Sequence, residues 1–256
     1  MIQSFGALAL NGFREARRNR ITLVVGFFAL ALLMCTTLVT EVTVHTFSRV
    51  LTDVGLGVMS IMLVLLAIFL SSGLLSREIE RRTVFLMVSK PVSRSVFLAG
   101  RLAGNMLTLT LLLLAMGALF FFELSAFRNA ITSTQFVAIG VLWVELLVLS
   151  SFGFVMSSFS SQIVSAVVTT GVYFAGHLVT DIYNISSRSK SELFRLGGKI
   201  AYYVLPNLSR LNYRPHASYA VAVTPSEVVS SVAYGIAYSA ALVVLAMILF
   251  SRRDFK

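Results

Sequence analysis

Apolar residues along this chain come in long uninterrupted runs separated by polar and charged connections. The first run, "ITLVVGFFALALLMCTTLVT", covers Ile21–Thr40, and others cover Val54–Leu75, Ala103–Phe122, Phe136–Phe159, Ile163–Val179 and Val228–Phe250. A helix of about 20 residues rises ~30 Å, the thickness of a bilayer's hydrocarbon core. Lipid offers backbone groups no partners, so spanning segments are helices or closed barrels. The alternating ~10-residue strands of a barrel are absent. The pattern predicts an all-α, polytopic membrane protein with six transmembrane helices. It forms a single transmembrane domain over 1–256, with an N-terminal amphipathic segment at 1–20, a charged connection at 76–94 and a long segment at 181–227. The first run also resembles a signal peptide, but it exceeds the ~7–15 apolar residues of such a segment and passes directly into Glu41, so it is read as a retained span.

Composition supports a membrane setting. Of the 256 residues 57% are hydrophobic and 12% charged, against roughly 25% charged in soluble domains. The net charge of +10 does not imply nucleic acid, because the basic residues cluster beside apolar runs, where the positive-inside rule and anionic headgroups account for them. The single cysteine, Cys35, excludes an intrachain disulfide and any multi-cysteine metal site. Lys and Arg number four before the first span, six in Ser76–Arg101 and three in the C-terminal tail, against Arg49 and Arg128 alone in the short loops of the other side. Short loops set orientation most strongly, so both termini and the charged connection are expected in the cytoplasm. The six basic residues from Arg188 to Arg214 run against this count.

The charged connection reads "SREIERRTVFLMVSKPVSR" from Ser76 to Arg94. Ile79, Val84, Phe85 and Val88 recur near helical spacing, with Glu78, Glu80, Arg81 and Arg82 between them. Pro91 lacks a donor and breaks the pattern, and Ser93 can cap a new helix starting around Arg94. The spacing therefore predicts a short amphipathic helix, a turn and a second helix leading into the third span. Such a helix either lies on the inner leaflet or docks on a cytoplasmic partner, and the pattern alone does not choose.

The stretch "EIERRTVFLMVSKPVSRSVFLAGR" resembles the signature of ABC-2 type transporter permeases, and the likeness is nearest to the branch that matures nitrous-oxide reductase. It falls on Glu78, Glu80 and Thr83, then Ser89, Lys90, Pro91, Val92, Ser93 and Arg94, then Gly100 and Arg101; Arg82 stands where many relatives have glycine. It extends to the "YYVLPNLSRLNY" of the long segment and the terminal "FSRRDF". The resemblance implies that Glu78, Glu80, Arg81, Arg82, Thr83, Lys90, Pro91 and Arg94 form a coupling helix. That helix would fit a groove on a separate ATPase subunit, which binds the ATP and Mg, within a permease homodimer of the bacterial inner membrane. No cofactor or catalytic site is expected on this chain itself. It has no G-x-x-x-x-G-K-[ST] loop, since Gly197-Gly198-Lys199 lacks both the upstream glycine and the following Ser/Thr. The chain is therefore read as a non-enzymatic subunit.

Glu145 lies deep in the fourth run, where a charge costs at least ~2.5–3.5 kcal/mol on insertion scales. The fourth and fifth runs are joined by a short turn near Ser161, so residues equidistant from it share a depth, and His177 is the counterpart of Glu145. The pair is a candidate for a substrate path or interface, against a purely structural hydrogen bond. Asn105 is read as an ordinary interfacial residue. In the long segment Leu193, Leu196, Ile200 and Val204 recur at helical spacing, predicting short amphipathic helices on or dipping into the outer leaflet and stopped at Pro206. Its basic residues would meet an acidic substrate, lipid headgroups or a periplasmic accessory protein. Two function classes follow: an ATP-driven permease for export or for transmitting force across the membrane, or an ATP-independent channel, carrier or scaffold.

Overall fold

A computed structural model describes residues 21–42, 47–80 and 94–251. Among them every regular element is helical: α1 (Ile21–Val42), α2 (Phe47–Glu80), α3 (Arg94–Ala126), α4 (Ser133–Ser157), α5 (Gln162–Ser187), α6 (Glu192–Val204), a 3₁₀ turn (Leu208–Leu211), α7 (Arg214–Ser218) and α8 (Pro225–Ser251). Five helices are long and apolar enough to cross a bilayer, within Phe47–Gly73, Val96–Ala126, Ser133–Ser157, Gln162–Ser187 and Pro225–Phe250. In α1 the shorter stretch Leu23–Thr37 is apolar.

The helix at the centre is α4, which packs against α2, α3, α5, α7 and α8. Its sequence is apolar on all sides, as a helix surrounded by others requires. Leu142, Leu146 and Leu149 are fully or almost fully buried, and they join Leu56, Leu63, Leu109 and Met116 of α2 and α3 in the main core. The start of α4 is fixed by a capping interaction in which the Thr132 N–H donates to Gln135 Oε1 at 3.0 Å. Gln135 Nε2 then reaches Thr52 on α2 at 3.4 Å. On α2, Gly55 allows a close crossing with α3, since a Cβ there would lie 2.7 Å from the Phe120 ring. The other spans are far less enclosed. Helix α5 presents Ile163, Val167, Phe174 and Leu178 outward, and α8 presents Val229, Ile236 and Val244.

Two expectations change on this framework. Ser76–Glu80, expected to open a separate amphipathic helix, are the continuation of α2 itself, which runs unbroken for 34 residues or about 51 Å. Glu and Arg are good helix formers, so the loss of apolarity at Ser76 ends the membrane stretch without ending the helix. The next helix is in place from Arg94, while Pro91 and Ser93, expected to start it, lie outside the described residues. The second change concerns the long segment. Helix α6 ends at Val204, just before Pro206, as expected, but the residues after it are buried inside the bundle rather than laid on its surface: Leu208, Leu211, Tyr213 and Ala217 all belong to the main core.

The contacts of that segment trace a descent and a return. Gly198 sits against Ser186 and the Ile182 carbonyl near the end of α5, while Gly176, further down the same helix, meets Pro206 and Leu208. Asn207 Nδ2 donates to Thr180 at 3.1 Å. The chain then climbs, because Ser218 donates to Asp53 Oδ1 at 3.0 Å and Tyr219 stacks under Arg49 at 3.3 Å, both near the start of α2. Backbone that leaves regular structure at this depth needs protein partners. Two tyrosines of α8 supply them: Tyr238 donates to the Val204 carbonyl at 2.8 Å, and the Asn207 N–H donates to the Tyr234 hydroxyl at 2.8 Å.

Candidate functional site

At the lowest point of the descent the segment delivers Arg214 to a polar cluster inside the bundle. Tyr173 of α5 stands there, with Arg214 and Glu145 close to its hydroxyl. It lies fourteen residues before the end of α5 at Ser187, about 21 Å along the axis and so near mid-bilayer. Arg214 is half-buried, and its Nε donates to Asn212 Oδ1 at 2.9 Å, which holds the guanidinium in place. Glu145 is 1% exposed. Its Oε1 meets His177 Nε2 at 2.9 Å. The His177 ring packs edge-on against Tyr173, with centroids 4.8 Å apart. The contact expected from the equal distance of Glu145 and His177 to the α4–α5 turn therefore forms.

The turn itself explains why the two faces agree. Ser165 Oγ donates to the Gly153 carbonyl at 3.1 Å, clamping α5 to α4 just beyond the connection. Gly153 has no side chain to hold off Ser71 of α2, so three helices converge there. From that clamp the paired helices run side by side, bringing Glu145 and His177 to a common level. Arg214 and Tyr173 were not legible as members of this cluster. The one trace of Arg214 in the sequence is the excess of basic residues in the long segment, which ran against the orientation count.

Glu145→Gln keeps an acceptor for His177 and should change thermal stability by about 0.6 kcal/mol or less, the average for a hydrogen bond between membrane helices. Glu145→Leu leaves His177 without that carboxyl, and its cost should approach the ~1.7 kcal/mol upper end of the same range. Unfolding midpoints of the purified variants measure the difference. Equal midpoints for the two would show that the carboxyl contributes nothing to packing.

A second buried carboxyl, Glu123 of α3, lies one residue beyond the expected end of the third span and was missed for that reason. It bonds Thr36, tying α1 to the bundle. Asn105, read as an interfacial residue, is 3% exposed within the bundle, and its amide has no hydrogen-bond partner among the described residues. Of the residues expected to couple to an ATPase, Glu78 and Glu80 fall on the last turns of α2 and Arg94 opens α3. Arg81, Arg82, Thr83, Lys90 and Pro91 lie outside the described residues.

Long apolar helices around a central one, with a polar segment folded back among them, define a multi-pass helical membrane protein. A family model described as ABC-2 family transporter protein matches residues 6–255, and the chain belongs to that family. It is the transmembrane permease of an ABC transporter, and permeases of this kind generally work with an ATPase subunit. A comparison with curated proteins gives no match.

Proposed function

We propose that this chain is one of two identical permease subunits of the inner membrane that couple ATP hydrolysis on a separate subunit to export or to force transmitted across the membrane. The observation that carries the reading is the length of α2. Its apolar stretch ends at Gly73, yet the helix runs on to Glu80, so the start of the charged connection is held about 10 Å beyond that stretch on a rigid arm. A helix meant to lie on lipid would bend away from the span at the interface. An arm continuous with α2 instead carries a push at its tip directly to the core around α4.

The remaining parts of the reading follow from the same geometry. The 22 residues of α1 span about 33 Å, enough for a sixth crossing; with six crossings both termini and the charged connection share one side, and the excess of Lys and Arg in the short loops of that side supports its being cytoplasmic. Outward-facing α8 leaves room for a second copy beside the bundle. The Glu145–His177–Tyr173–Arg214 cluster lies where the long segment meets the spans, so movement of the arm changes its surroundings. Glu145→Gln is expected to alter stimulated ATPase activity or transport while leaving assembly intact. The likeness to permeases that mature nitrous-oxide reductase supports an outer partner protein as the object of the force.

The test is purification of the chain with its native neighbours. A phosphate-loop ATPase that stays bound, and whose activity depends on the permease, is the expected result. A chain that transports or conducts with no ATPase present would overturn the reading in favour of a channel, carrier or scaffold. Orientation is checked in a Cys35→Ser background. Lys190→Cys and Val221→Cys should react with an impermeant thiol reagent from outside, while Phe159→Cys, in the α4–α5 turn, should be protected until the membrane is opened. The opposite pattern would reverse the topology.

A further inference from the structure

We propose that the junction of α5 and α6 is a binding site for an anionic phospholipid, with its phosphate on a basic shelf and its acyl chains along the exposed face of α6. Arg188, Lys190, Arg195 and Lys199 are all exposed. They gather at one level, because Gly198 rests against Ser186 and Ile182 at the very end of α5. At 26 residues, α5 is about 39 Å long and overreaches a ~30 Å core by a few ångströms at each end, so this level is that of the headgroups. The nearby acidic residues, Glu192 and Asp181, leave the shelf with a net positive charge.

The other half of the site is apolar. Leu193, Leu196, Ile200 and Tyr203 share one side of α6, with Leu193 84% and Tyr203 79% exposed, while Gly198 and Tyr202 face α5. Arg195 and Lys199 border that side, one helical turn apart. The face continues into Ile185 and Leu178 of α5, which are also exposed and lie along the lipid-facing side of a span. A surface with cations at headgroup depth and an apolar wall leading down from them matches an amphiphile with a phosphate and long chains. A soluble acidic ligand would use only the cations, and a neutral lipid only the wall.

The test uses the full-length protein in mixed bilayers of phosphatidylglycerol and phosphatidylcholine, with a photoreactive benzoylphenylalanine at Leu193. After illumination the cross-linked species are identified by mass spectrometry. Phosphatidylglycerol is expected well above its bulk fraction. That preference should fall about fivefold for each cation neutralised in Arg195→Gln and Lys199→Gln, and should persist in Arg195→Lys, which keeps the charge. Added inorganic phosphate should not displace the lipid. Cross-linked lipid at the bulk composition would overturn the proposal, as would a cross-link to a second copy of the chain or displacement by phosphate alone.

Discussion

Glu78→Lys/Glu80→Lys is expected to release the ATPase from the complex while the helical bundle remains folded. Glu78 and Glu80 lie on the last turns of α2, two residues apart and so not on one face, and the double reversal therefore changes the charge on both sides of that end. Reversing a charge in a desolvated contact costs about 2–5 kcal/mol, a loss of some 30- to several-thousand-fold in affinity. If the same residues rested on an anionic leaflet, the added lysines would strengthen binding by ~1 kcal/mol each. The docking and lipid readings thus predict changes of opposite sign. Affinity of the purified permease for its ATPase, and for vesicles of anionic lipid, distinguishes them. The single reversals identify which side of α2 enters the groove. An unchanged complex with full activity would remove both glutamates from the coupling role.

Gly176→Val is expected to unseat the long segment from the bundle. A Cβ at this position would lie 2.7 Å from the Pro206 carbonyl oxygen and 2.8 Å from Leu208 Cγ. The first of these is backbone and the second belongs to a fully buried side chain, so neither can swing aside cheaply. Overpacking of this kind costs about 1–3 kcal/mol, and relief comes most readily by withdrawing Pro206–Leu208. A cysteine at Ser209, which in the intact fold lies 3.3 Å from Thr180, should then react with a thiol reagent in the Gly176→Val background and not in the parent. Gly171→Val on the same helix is the control. A Cβ there meets nothing within 4 Å, so the fold should be unaltered. Equal stability of the two variants would mean that the segment does not depend on this contact.

The parts of the fold written in local pattern were legible, and the parts that depend on distant partners were not. Span positions follow from apolar length. Glu145 and His177 could be paired because a four-residue connection, Ser158–Ser161, fixes the register of the helices on either side. The continuation of α2 to Glu80 was hidden because the reading equated the end of apolarity with the end of the helix. The amphipathic spacing of α6 was visible, but its periodicity says nothing of depth. Depth is set by Gly176, Tyr234 and Tyr238, which lie in the spans before and after it and look like ordinary span residues. Arg214 illustrates the limit most sharply, since next to Pro215 it reads as a loop cation, and only the three-dimensional path takes it to Tyr173.

The tyrosines that hold the long segment also impose an order on its assembly. Tyr234 follows Asn207 by 27 residues and Tyr238 follows Val204 by 34, so neither partner has reached the bilayer when the segment leaves the ribosome. Until α8 has emerged and entered the bilayer, the Val204 carbonyl and the Asn207 N–H lack their tyrosine partners, and a polar group left so in hydrocarbon costs several kcal/mol. The segment must therefore wait in water while the final span is made, then sink into place with it. A nascent chain cut short before Tyr234 would present this stretch to solvent even though every earlier span had already inserted.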